Sequence, residues 1–228
     1  LRAYRYGDWD IAAGMFFSTW RNDVHVVEPF EIPDDWPVWA GFDYGFVPPT
    51  VVLFFTRDGD GHIYAIAEHW RRRALPSQHV ADLEALANRL GRSMDQIWPW
   101  AAGSDCFVKR QSKESESGES IADQYAELRV VLARANVERV NGAARLLDLL
   151  GDMDGNPAIP PRLSVFKCCP HFIEQIPAMM APSSMYPESR VSFPITTLCR
   201  PLRCAMRTRA TALPSLKATS GVIGYSFA

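Results

Sequence analysis

Six consecutive residues, Val38-Trp39-Ala40-Gly41-Phe42-Asp43, constrain the fold more than any other stretch of this chain. The first five carry no charge, so a strand built from them belongs in the interior of a sheet. The sixth is a carboxylate, followed at once by Tyr44-Gly45. An apolar strand gains nothing from a charge at its end, and a desolvated carboxylate costs free energy unless something pairs with it. In enzymes that handle phosphate, that partner is usually a divalent cation.

The segments that follow predict the sheet around this strand. Thr50 to Arg57 is β-branched and aromatic and reads as a second strand. Asp58-Gly59-Asp60-Gly61 is a hairpin turn, because Asp-Gly tolerates the positive φ of tight turns, and His62 to Ala67 returns as a third strand. Pro76 to Leu90 places Val80, Leu83, Leu86, Ala87 and Leu90 at helical spacing and stops at Gly91. Ile97 to Ala102 reads as a fourth strand ending at Gly103-Ser104-Asp105, and Lys109 to Glu119 as a charged loop. A helix over Ser120–Ala135, a fifth strand over Val137–Val140 and a helix over Gly142–Leu150 complete the pattern. Beyond them, Arg162 to Phe166 suits a further strand, with a helix from about Pro170 to Met180. The order predicts an α/β fold: a mixed five-stranded sheet, an antiparallel meander plus parallel strands, flanked by helices.

In that layout the first strand is central and the fourth lies parallel beside it. Asp43 and Asp105 then end neighbouring strands about 4.8 Å apart in the pairing direction. That spacing suits carboxylates sharing one or two divalent cations, which sit about 3.5–4 Å apart in two-metal sites. The plainer readings are a turn-capping residue for Asp43 and an Asx turn or helix N-cap for Asp105. Glu68, ending the third strand, is a candidate auxiliary ligand or a solvated strand-end glutamate. His69, Arg71, Arg72 and Arg73 form a basic run, and Lys109, Arg110 and Lys113 follow Asp105. Both groups suit DNA phosphates, or are simply solvated. Trp98 and Trp100 read as sheet packing, and Asp152 and Asp154 as turn residues. Cys168-Cys169-Pro170-His171 with Cys199 and Cys204 lacks a Cys-x2-Cys pair, so zinc is not expected.

With 228 residues, 47% hydrophobic and 22% charged, the chain suits one large domain with a tail. A net charge of −2 argues against wholesale coating of nucleic acid, though not against a local basic groove. Five cysteines, two of them adjacent, do not suggest a disulfide framework. No apolar run approaches the roughly 18 residues of a membrane helix. From Asn156 onward there is no aspartate, and residues 181–228 carry six basic side chains against Glu188 alone. Hydrophobic periodicity fades there too, which reads as a disordered basic tail or a change of reading frame near 181–190.

Taken together, the motifs resemble the nuclease domain of phage terminase large subunits. The resemblance rests on Gly7-Asp8-Trp9-Asp10 with Gly14 and Phe17, Asp43-Tyr44-Gly45 with Pro48-Pro49, and the hairpin ending in Glu68. It continues through Ser104-Asp105, Ser120-Ile121-Ala122, Asn141-Gly142, and Cys169 with Ile173 and Ile176-Pro177. It implies an RNase H-like fold and an endonuclease that cuts concatemeric DNA with two Mg2+ or Mn2+ ions. Asp43 and Asp105 match the family's first two acids. Its third, in an Asp-His helix motif, is absent where the chain reads Ile195 to Met206. The resemblance further implies double-stranded DNA as substrate, the portal protein and small terminase subunit as partners, and the bacterial host cytoplasm as the place of action. No Gly-x-x-x-x-Gly-Lys-Ser/Thr loop occurs, so no ATPase activity is expected of these residues. Residues 1–37 then read as an arm following a separate ATPase domain, 38–180 as the nuclease domain, and Leu1 as the start of a fragment.

Overall fold

The computed structural model describes residues 17–112, 115–135 and 139–178. The Gly7-Asp8-Trp9-Asp10 motif, Lys113, the start of the strand expected at Val137 and the tail 181–228 lie outside the described residues. In chain order the elements are α1 Asn22–His25, β1 Val26–Val27, β2 Val38–Asp43, β3 Thr50–Arg57, β4 Ile63–Arg71, α2 Pro76–Arg89, β5 Ile97–Ala102, a 3-10 turn Ser104–Phe107, β6 Arg110–Ser112, β7 Ser115–Glu119, α3 Ile121–Glu127, β8 Leu132–Arg134, α4 Arg139–Leu150, β9 Leu163–Phe166 and α5 Pro170–Gln175.

Seven strands form one mixed sheet in the order β1-β9-β4-β3-β2-β5-β8, and β6 pairs with β7 as a separate hairpin. The antiparallel meander is β2-β3-β4; β5 and β8 add parallel beyond β2, and β9 and β1 add parallel beyond β4. The expected α/β fold with its central first strand is therefore present, with seven strands in the sheet instead of five. The fifth strand lies earlier than expected, at Leu132–Arg134. The Val130-Val131-Leu132-Ala133 run is apolar throughout, so its periodicity fits helix and strand alike, and α3 ends at Glu127 to release it. The expected charged loop folds as the hairpin β6–β7.

All six residues of β2 are buried, as are the first seven of β3, because helices cover both faces of the sheet. On one face Val38, Ala40, Phe42, Val52, Phe54 and Ile66 pack with Leu83 and Ala87 of α2 and with Ile121 and Tyr125 of α3. On the other, Trp39, Val51, Leu53 and Phe55 pack with Leu146, Leu149 and Leu150 of α4 and Phe172 of α5. Each fully buried Phe or Leu here contributes roughly 1.5–3 kcal/mol of transfer free energy. Helix α2 ends at Gly91 in the left-handed region (φ 67°), as its sequence predicts. The Asp58–Gly61 turn holds its shape through Asp58 Oδ1, which accepts from the Asp60 and His62 amides at 3.0 and 2.8 Å.

Residues 17–37 pack into the same domain. Phe17 and Trp20 join the core, and β1 forms the outermost strand beside β9. The Arg92 guanidinium at the end of α2 donates to the carbonyls of Ile32 and Pro33 and pairs with Asp34 at 3.0 Å. None of the described helices is long and apolar enough to cross a membrane.

Candidate active site at the strand ends

The carboxyl ends of β2, β4, β5 and β8 and the amino end of β3 form one edge of the sheet. Asp43 is the last residue of β2 and only 7% exposed. Parallel pairing of β2 with β5 runs as far as Phe42–Ala102, so the turn holding Asp105 leaves the sheet directly beside Asp43. Oδ1 of Asp105 is shut off from solvent. The expected neighbourhood of the two acids is thus present in the topology.

A third residue ties the two loops together. Tyr125 of α3 is fully buried, with its ring 4.9 Å from Phe42 and 6.4 Å from Tyr44, the residues flanking Asp43. Burial pushes the Tyr125 phenol up from its ordinary range, and nearby Tyr44 and Cys106 add to the shift. Cys106 follows Asp105, so one side chain braces both acid-bearing segments. The Tyr125 hydroxyl has no hydrogen-bond partner among the described residues. A buried unsatisfied hydroxyl is costly, so Tyr125→Phe is expected to raise stability by about 1 kcal/mol in chemical denaturation.

After Asp43 the chain turns tightly. The Gly45 amide donates to Thr50 Oγ1 at 3.2 Å, and the Thr50 hydroxyl donates back to the Gly45 carbonyl at 2.6 Å. A Cβ at position 45 would lie 2.5 Å from the Pro48 carbonyl oxygen and 2.8 Å from that of Pro49. Both are backbone atoms and cannot swing aside. Gly45→Ala is therefore expected to cost about 2 kcal/mol of stability by urea titration, through overpacking that displaces the loop after Asp43.

Glu68 is engaged in a structural role. Its carboxylate is 4% exposed and accepts from the His171 and Phe172 amides at 2.9 and 3.0 Å, holding the start of α5. Oε1 also pairs with His171 Nδ1 at 2.7 Å, and the His171 ring stacks on Trp70 at 4.5 Å. Trp70 is in register with Asp43 through Val51. These three bonds take up most of the acceptor capacity of the carboxylate and leave room on Oε2 alone for a further partner. Cys168 and Cys169 direct their thiols to the carbonyls of Ile66 and Ala65.

Of the expected basic residues, Arg71 pairs with Asp82 at 2.8 Å, while Arg72, Arg73 and Lys109 are exposed on or beside the acid-bearing edge. Placement of the Arg110 side chain and of Lys113 lies outside the described residues. His69 is buried and faces His79, so it adds no charge to this run. Two residues escape sequence reasoning. Arg134 ends β8 on the same edge and lies over the Phe107 ring at 4.5 Å. His171 reaches the edge through Glu68, 103 positions away, and through Trp70, and no local pattern signals either contact. Trp100 packs in the core as expected, whereas Trp98 is exposed. Asp152 and Asp154 sit in a turn, Asp152 Oδ1 accepting from the Asp154 amide at 3.2 Å.

All the donors that Asp43 and Asp105 offer are carboxylate oxygens, which suit a hard divalent cation. Among the described residues no group of three or more His, Cys, Asp or Glu side chains gathers to hold a metal. A cleft of about 450 Å³ lined by Asp35, Trp36, Arg57, Asp58 and Asp60 lies at the other end of the sheet.

The mixed α/β fold matches that of the nuclease domains of large terminases. The P22 large terminase nuclease domain superposes with a TM-score of 0.60 at 18% identity, over 86% of this chain and 92% of its own. The large terminase of a thermophilic bacteriophage gives 0.61 at 14% identity, over 89% of this chain and 48% of its own, so the chain spans about half of that protein. The large terminase nuclease of another thermophilic phage, G20c, with bound cobalt gives 0.51 at 15%, over 86% and 97%. The sequence matches no protein-family model and no curated protein.

Proposed function

We propose that this domain is a divalent-metal-dependent DNA endonuclease of a phage or prophage packaging terminase, with Asp43 and Asp105 as its metal-holding carboxylates. The observation that carries the reading is an acid at the end of one strand and a second in the turn after its parallel neighbour, on a sheet with the fold of large terminase nuclease domains. Bound cobalt in the G20c nuclease supports a divalent cation at such a site, and oxygen-only donors favour Mg2+ or Mn2+.

A cation held there supplies Lewis acidity and a lowered pKa for bound water. The chain supplies the rest. Buried Asp43 offers a fixed carboxylate in surroundings that strengthen its attraction for a cation. Tyr125 keeps the two acid-bearing segments together. Arg72, Arg73, Lys109 and Arg134 present cations to DNA phosphates along the same edge. On this reading the substrate is double-stranded DNA, cut in the host cytoplasm during packaging, and the partners are the portal protein and small terminase subunit.

A second reading follows from the ligand set. No third ligand converges with the two acids among the described residues, which favours a domain that binds DNA without cutting it. Incubating supercoiled plasmid with the purified chain in Mn2+, with and without chelator, separates the two. Nicking that chelator abolishes supports the endonuclease. Binding without nicking supports the second reading, and nicking in chelator overturns the metal role.

A further inference from the structure

The loop that leaves Asp43 presents two large apolar side chains to solvent. Phe46 is 48% exposed and Val47 65%, and Leu75, which precedes α2, is 61% exposed. Exposed apolar residues on a soft loop normally fold back onto the surface, but this loop is held from several sides. Gly45 and Thr50 clip its base with two hydrogen bonds, the Pro48 and Pro49 carbonyls fill the space a Cβ would need, and two prolines stiffen its return. Its tip is tied to the next loop by the Arg73 amide, which donates to the Phe46 carbonyl at 2.7 Å. Arg73 makes that bond with φ at 51°, in the left-handed region that residues other than glycine rarely enter. Strain of this kind persists where the surroundings over-determine it, and it clusters at functional sites. The outcome is a fixed apolar tip beside two exposed guanidiniums, Arg72 and Arg73, on the edge that carries Asp43.

We infer that Phe46 and Val47 form an apolar wedge that presses against the base and sugar edges of duplex DNA beside the cut, while Arg72 and Arg73 hold the flanking phosphates. The inference rests on the nuclease reading for its ligand and adds the contact that grips the duplex. Charge complementarity selects the occupant. An apolar ring flanked by two guanidiniums matches a polymer that is anionic outside and apolar within its stack, and apolar side chains inserted at base steps unstack and bend DNA.

The test needs no cleavage and no divalent metal. Binding of a short fluorescent duplex carrying 2-aminopurine is followed by anisotropy and by 2-aminopurine emission, in chelator, across a salt series. The Phe46→Ala/Val47→Ala double variant is expected to bind about 5- to 10-fold more weakly, to keep the wild-type slope of log affinity on log salt, and to lose the emission rise that reports unstacking. Arg72→Gln/Arg73→Gln is expected to flatten that slope by about two, near 0.9 per phosphate released. Phe46→Leu, which keeps an apolar tip, should fall between wild type and the double variant. Thermal unfolding of each variant confirms that the fold is intact. Wild-type affinity and emission in the double variant would overturn the inference and leave the nuclease reading standing. So would a flattened salt slope in the double variant, or a change in self-association with DNA affinity untouched. Failure of the unaltered chain to bind duplex at all sinks both.

Discussion

Asp43→Asn is expected to lower Mn2+-dependent plasmid cleavage at least about 1,000-fold while leaving the fold intact. The reason lies in how few ligands the edge offers. Asp43 ends one strand and Asp105 lies in the turn that follows the adjacent parallel strand, and among the described residues no further acid, histidine or cysteine gathers with them. Asparagine keeps the shape and one oxygen of the side chain but removes the charge that attracts a cation. Losing that charge in a buried position costs several kcal/mol of interaction with the metal and with the charge developing on phosphate. At about 1.36 kcal/mol per decade, on the order of 4 kcal/mol gives the expected loss. Thermal unfolding of the variant checks that the fold is intact. Calorimetric titration with Mn2+ provides the companion measurement, with binding weakened in the variant. Wild-type cleavage by Asp43→Asn would remove Asp43 from the chemistry.

The second large effect is on stability in mild acid. His69 of β4 and His79 of α2 are buried against each other, His69 Nε2 and His79 Nδ1 sharing a hydrogen bond of 2.8 Å. Burial, then the neighbouring His79, lowers the His69 pKa to about 4, partly opposed by Asp82. The His79 pKa is lowered too, chiefly by burial and then by Arg71. The unfolded chain therefore binds more protons than the folded one between pH about 6.5 and about 4, and stability rises with pH across that window. Read downward, acidification from pH 6.5 to 4 should remove about 3 kcal/mol through His69 alone, at 1.36 kcal/mol per pKa unit. Urea unfolding at a series of pH values measures this. His69→Leu/His79→Leu, which replaces the pair with apolar groups, should flatten the curve in that window. An equally steep curve in the double variant would assign the acid sensitivity elsewhere.

Much of the fold is legible in the sequence because its central strands carry strong, local signals. Val38–Asp43, Thr50–Arg57 and Ile97–Ala102 appear with the bounds their apolar runs predict, and Gly91 ends α2 as expected. Legibility fails where the signal is short or non-local. The two-residue strand β1 and the three-residue β8 are too brief for a period to show. The hairpin β6–β7 is polar in sequence, so no alternation of apolar residues announces its strands. The site divides the same way. As candidates, Asp43 stands out because a charge ending a buried apolar strand is anomalous by itself, and Asp105 because it follows the next apolar strand by a short turn. Glu68 reads in sequence as one more strand-end acid. Its actual work, holding α5 and orienting His171, depends on contacts about a hundred positions away.

The outer edge of the sheet has a practical consequence for anyone trimming this chain. A fragment starting at Pro37, where the regular strand pattern begins, would delete Phe17, Trp20 and β1 together. It would open a gap under α4 and α5 and leave the backbone of Val165–Phe166 unpaired on one side. Exposed strand edges recruit other chains. Such a fragment should enter inclusion bodies or oligomerise, whereas one that keeps the residues from Phe17 onward should remain monodisperse in gel filtration.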